Sequence, residues 1–163
     1  MDQTDSAQNR RWRTAGAALI GGLALAGCAA NTGSPSQGGG SDATAVEVTL
    51  QEWAIVPSVS SVAAGDVAFA VTNDGPDDIH EFVVLKTDLD PSDLPTDEHG
   101  AVTEDGEGIA VIDEIEDIPV GESQELAVTL DAGNYVLLCN IYDESEDEAH
   151  YQMGMRIAFE VTE

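Results

Sequence analysis

Near the C-terminus, Cys139 is followed by His150 after ten intervening residues, and Met155 comes five positions later. A second histidine, His80, lies far upstream between Ile79 and Glu81. A soft thiolate, two imidazoles and a thioether form the donor set that selects copper, with two His and one Cys in a trigonal plane and a weak axial Met. Covalency with the thiolate, in a geometry that suits both oxidation states, lets one electron move with little rearrangement. Cys139 must be deprotonated to act, which a bound metal itself enforces. Taken singly, each residue has a plainer reading, since a lone Cys is commonly a small buried hydrophobe and a lone His a satisfied core residue. Order, spacing and position together point to a metal. His99, between Glu98 and Gly100, reads as solvated. So does the acidic run over residues 143–148, which lacks the spacing and turn glycine of a calcium loop.

Catalysis is not expected. The chain has no Gly-x-Ser-x-Gly, no phosphate-cradling loop, and no nucleophile–base pair other than Cys139 with His150. A site saturated by two His, Cys and Met leaves no open position for a substrate.

The elements that must position these ligands read as strands. Val46, Val48 and Leu50 alternate with Glu47 and Thr49, the period of a half-buried strand. Residues 67–72 form a second, left through the turn residues Asn73, Asp74, Gly75 and Pro76. Residues 79–86 form a third, with His80, Phe82 and Val84 on one face. Residues 109–112, 124–130 and 134–139 follow, and Met155, Ile157, Phe159 and Val161 alternate along the last. No apolar stripe of helical period is long enough for a core helix. The expected fold is all-β, a Greek-key β-sandwich of seven to eight strands. Residues 87–108 stand apart, with eight carboxylates in twenty-two residues. They are expected to form a mobile acidic flap or to hold a short helix.

Of 163 residues, 32 are acidic and 5 basic, a net charge of −27. This excludes nucleic acid, whose phosphates need clustered Lys and Arg, and disfavours anionic lipid headgroups. It suits very high salt, where screening removes most of the self-repulsion, and hence a halophile. Hydrophobic residues at 42 % suffice for a core.

Three of the five basic residues, Arg10, Arg11 and Arg13, precede a glycine-thinned apolar run over residues 15–26. This is the layout of an export signal, over residues 1–27. The adjacent arginines resemble a twin-arginine signal. Leu25, Ala26, Gly27 and Cys28 resemble the lipobox of bacterial and archaeal lipoproteins, which implies cleavage before Cys28 and lipid on its sulfur. Residues 28–44 then form the lipidated Cys and a Gly/Ser-rich tether; its last fourteen residues reach roughly 20 Å. With Cys28 lipidated, Cys139 has no partner, and an unpaired thiol in an exported chain calls for a use such as a metal.

Residues 45–163 resemble the cupredoxin family of small blue-copper proteins, of the plastocyanin and amicyanin kind. The resemblance is carried by Ala64, Gly65 and Asp66, by residues 73–80 and 119–123, and most strongly by residues 133–139 and 150–155. It implies a copper-binding domain with His80, Cys139, His150 and Met155 as metal ligands to one Cu(I)/Cu(II) ion. The family's interval of four residues between His and Met picks Met155 over Met153. The stretch between Cys139 and His150 is longer than the family usually has, and five of its ten residues are carboxylates. The extra residues are expected to bulge outward and to surround the electron-exit edge of His150 with negative charge.

The sequence therefore reads as a one-electron carrier with a type 1 copper site, monomeric, lipid-anchored at the extracytoplasmic face of the cell membrane. Its expected partners are membrane redox complexes such as a terminal oxidase. Two other readings stay open: a copper storage or delivery protein for an extracytoplasmic oxidase, and a copper-free cupredoxin-like interaction domain.

Overall fold

Alternation of apolar and polar side chains becomes strands throughout residues 43–163, the part of the chain that the computed structural model describes. The segments expected to be an export signal and a tether, with Cys28, lie outside the described residues as far as residue 42. In chain order the strands are β1 (Thr44–Gln51), β2 (Ala54–Pro57), β3 (Ser61–Ala63), β4 (Gly65–Asn73), β5 (His80–Lys86), β6 (Ala110–Ile118), β7 (Ser123–Leu130), β8 (Gly133–Leu138), β9 (Tyr142–Asp143), β10 (Glu148–Ala149) and β11 (Arg156–Thr162). One helical turn, α1 (His150–Met153), lies between β10 and β11.

One sheet has the order β2-β1-β4-β7 and the other β3-β11-β8-β5-β6. The chain crosses between them from β4 to β5 and back from β6 to β7. β1 runs parallel to β4, and β11 parallel to β3; all other pairings are antiparallel. The inner faces meet in one core, with Val46, Val48, Leu50, Phe69 and Val71 from the first sheet against Phe82, Val84, Leu137 and Phe159 from the second. Phe69 stands at its centre, with its ring 5.3 Å from Phe82 and 5.8 Å from Phe159. The expected all-β sandwich is what forms.

All seven strands read from the sequence are present. The four additional ones, β2, β3, β9 and β10, span two to four residues each. Segments that short show no periodicity, and their partners are set by tertiary pairing. β6 runs further than its apolar residues suggested, because Asp113, Glu114, Glu116 and Asp117 lie on an edge strand beside water.

Residues 87–108 are neither a flap nor helical. Leu94 and Val102 are buried with Val83, Leu85, Val136, Leu138 and Tyr151 in a second apolar cluster, on the outer face of the five-stranded sheet. The segment is a strap over that sheet, pinned by a bridge between Thr96 and Val102. The tyrosine hydroxyl of α1 ties it down: Tyr151 Oη donates to the Pro91 carbonyl (2.8 Å) and accepts the Leu94 N–H (3.2 Å). Among the described residues, no helix is long and apolar enough to cross a membrane.

Candidate metal centre

β5 begins at His80, and its alternation turns His80, Phe82 and Val84 into the sandwich, while Val83 and Leu85 face the strap. The loop before it is fixed by Asn73, fully buried, whose Nδ2 donates to the carbonyls of Asp78 (2.8 Å) and Ile118 (2.9 Å). Its Oδ1 accepts the Gly75 N–H. Cys139 follows β8 directly, pointing inward after Leu137, and its N–H donates to the Met155 carbonyl (3.1 Å). Gly154 sits at φ 128°, a conformation open to glycine, and closes α1. A Cβ there would come within 3.0 Å of the Trp53 carbonyl. The single turn lets the Met155 N–H donate to the His150 carbonyl (3.0 Å), so one short segment presents His150 and Met155 to the same end of the core.

One donor atom from each of His80, Cys139 and His150 falls within 4.8 Å of the others, and all three residues are buried. His80 Nδ1 is 3.2 Å from His150 Nδ1, which in turn is 3.4 Å from Cys139 Sγ. The Glu81 N–H donates to Cys139 Sγ at 3.4 Å, a contact that favours a thiolate. Met155, fully buried, packs in the same core cluster as Cys139. Met153 is 42 % exposed and lies outside that cluster. His99 is exposed, beside Glu98 and against the Tyr142 ring, as expected for a solvated residue.

Burial sets the protonation of the group. It lowers the affinity of both imidazoles for protons, and for His80 the proximity of His150 adds to it. Both are therefore neutral at pH 7, as metal ligands must be. Burial also pushes the Cys139 thiol up to about 12, so the proton leaves only when a cation takes its place. Two neutral imidazole nitrogens and a sulfur converging in a dry pocket, with a buried thioether in the same cluster, fit one copper ion.

Three supports were not recognisable as such in the sequence. Trp53 stands edge-on to His150, with ring centroids 5.0 Å apart. Glu52 lies beside His80, its Oε1 3.7 Å from Nε2. Asn140 bonds the strap through both the N–H and the carbonyl of Val102, while its own N–H donates to Glu81 Oε1. Glu52 and Trp53 form the turn between β1 and β2, where no local pattern signals a role; only the neighbouring chain gives them one.

The residues between Cys139 and His150 form a hairpin, β9 against β10, with residues 144–147 exposed at its tip. The insertion bulges outward, as its composition suggested, and the His150 N–H still reaches the Ile141 carbonyl at 2.9 Å. His150 lines a surface depression whose rim carries Asp77, Asp78, Asp117, Asp143 and Glu144.

The fold is of the cupredoxin type. No family model matches the sequence, and no curated protein matches it either. Similar solved structures include dithionite-reduced auracyanin from Roseiflexus castenholzii, with a TM-score of 0.54 and 20 % identity over 74 % of this chain and 98 % of that one. An azurin from Methylomonas sp. strain J aligns at 0.49, with 18 % identity over 74 % and 98 %. Auracyanin A from Chloroflexus aurantiacus, described as a "blue" copper protein, also aligns at 0.49, with 18 % identity over 74 % and 99 %.

Proposed function

We propose that this chain is a one-electron carrier with a type 1 copper site, tethered by lipid on Cys28 to the extracytoplasmic face of the membrane. The observation that carries the reading is the buried convergence of His80, Cys139 and His150, with Met155 buried in the same core cluster as Cys139. His80, Cys139, His150 and Met155 would hold the ion, and copper would supply a Cu(I)/Cu(II) couple there. The protein's part is placement. β5, the end of β8 and α1 bring the donors of His80, Cys139 and His150 together in the buried core. Burial keeps water out of the donor pocket, and His150, lining the depression, offers a way out for an electron. With four donors and no free position, the site has no place for substrate, and we read the chain as a carrier rather than an enzyme. Membrane redox complexes such as a terminal oxidase are the partners that a tethered carrier would serve.

The test uses the chain carrying Cys28→Ser, loaded with Cu(II) in concentrated KCl. An intense blue thiolate-to-copper band is expected, absent in Cys139→Ser, shifted in Met155→Leu and unchanged in Met153→Leu. A folded chain that binds no copper would refute the reading.

A further inference from the structure

Behind the inward-facing Nδ1 of His80, the opposite ring nitrogen has an unusual neighbour. Nε2 is buried and without a hydrogen-bond partner, and so is Glu52 Oε2. Glu52 Oε1 lies 3.7 Å from Nε2, with the His80 side chain 0 % and the Glu52 side chain 12 % exposed. The carboxylate is held in place. Its Oε1 accepts the N–H groups of Asp77 (3.1 Å) and Asp78 (2.8 Å), in the loop that leads into His80. A carboxyl group with one buried, unpartnered oxygen faces a buried, unpartnered ring nitrogen, and each has bonding capacity to spare.

We propose that Glu52 is a positioning residue of the metal centre: its carboxylate takes the Nε2–H of His80, fixes the tautomer that leaves Nδ1 bare toward the metal, and lowers the reduction potential. The inference rests on the copper reading above. A metal-binding imidazole ordinarily gives its second N–H to an acceptor that orients the ring and raises its basicity. A carboxylate does so more strongly than a carbonyl, because its charge favours the more positive oxidation state. The same side chain bonds the loop carrying His80, so ring orientation and loop position are set together.

The test compares Glu52→Gln with the unmodified site, both in the Cys28→Ser chain loaded with copper. Glutamine keeps the length and an oxygen for the Asp77 and Asp78 amides but removes the charge. At a fixed ambient potential the Cu(II):Cu(I) ratio should fall about tenfold, the scale of losing such a partner. That equals a rise of about 59 mV for a one-electron couple. The thiolate-to-copper band should persist. Glu47→Gln, an exposed carboxylate on β1, should change the ratio less than twofold. In the diamagnetic Cu(I) form, ¹H–¹⁵N spectra should show His80 protonated on Nε2, with a downfield proton that moves upfield in Glu52→Gln. A ratio change no larger than that of Glu47→Gln, or a His80 proton unmoved by the substitution, overturns the proposal. Should Glu52→Gln fail to fold, the unmodified spectrum decides: a downfield Nε2 proton upholds the role, and a bare Nε2 or an ordinary shift removes it. Failure of the copper reading looks different, because the unmodified chain would then show no thiolate-to-copper band, and both inferences would fall.

Discussion

Tyr151→Phe removes one oxygen from the molecule and tests whether the strap over residues 87–108 belongs to the folded core. The Tyr151 hydroxyl is the shared partner of two strap backbone groups, accepting from Leu94 N–H and donating to the Pro91 carbonyl. Its ring is 1 % exposed and faced by the Arg156 guanidinium at 4.7 Å. Phenylalanine fills nearly the same volume, so little cavity cost enters. The Pro91 carbonyl is only half-buried and can turn to water. The Leu94 N–H sits in the buried cluster and cannot, and an orphaned buried donor costs roughly 1–3 kcal/mol. A loss of about 2 kcal/mol follows, or up to about 30-fold in the folded-to-unfolded ratio. Urea unfolding of the copper-free chain should show the midpoint lowered by about 1 M with an unchanged slope. Native-state hydrogen exchange should locate the change at the Leu94 amide. His150 and Tyr151 point to opposite sides of α1, one into the inner core and the other into the outer cluster. The thiolate-to-copper band should therefore stay where it was. An unchanged midpoint together with an unchanged Leu94 exchange rate would refute the reasoning and return the strap to the status of a surface loop.

Two further outcomes are expected. Burial, with Glu114, Glu104 and Glu116 nearby, pushes the Glu81 carboxyl up to about 7 despite the Asn140 amide that favours its anion. The folded chain thus holds this proton more tightly than the unfolded one. The stabilisation is complete below pH 4.5 and disappears as pH rises through about 7, a change of about 3 kcal/mol. Glu81→Gln should remove this component, and parallel pH–stability curves for the two copper-free chains between pH 5 and 8 would contradict it. Replacing Glu144, Glu146 and Glu148 by Gln takes negative charge from the hairpin beside His150 and should raise the reduction potential, more at low salt than at high. A potentiometric titration showing no rise at low salt would sink that expectation.

The candidate cluster of His80, Cys139 and His150 and most of the sandwich were legible in the order and alternation of the residues. Strand alternation reports which face is buried, and His80, Cys139, His150 and Met155 fall at strand ends in an order that few other chemistries need. The family resemblance carried the choice of Met155, and the exposure of Met153 agrees with it. Other features were determined only by distant contacts. The run from Phe82 to Leu85 is buried on both faces, which pairing alone does not explain; the strap supplies the second cover. In sequence the strap reads as an acidic loop, because only Thr87, Leu94 and Val102 bury themselves while its carboxylates remain in water. Glu52 and Trp53 form the turn between β1 and β2 with no signal of function, yet folding brings one beside His80 and the other against His150. Sequence periodicity determines which side of a strand faces inward. Which buried side chain stands behind which ligand is decided by the packing of two sheets, and no local pattern encodes it.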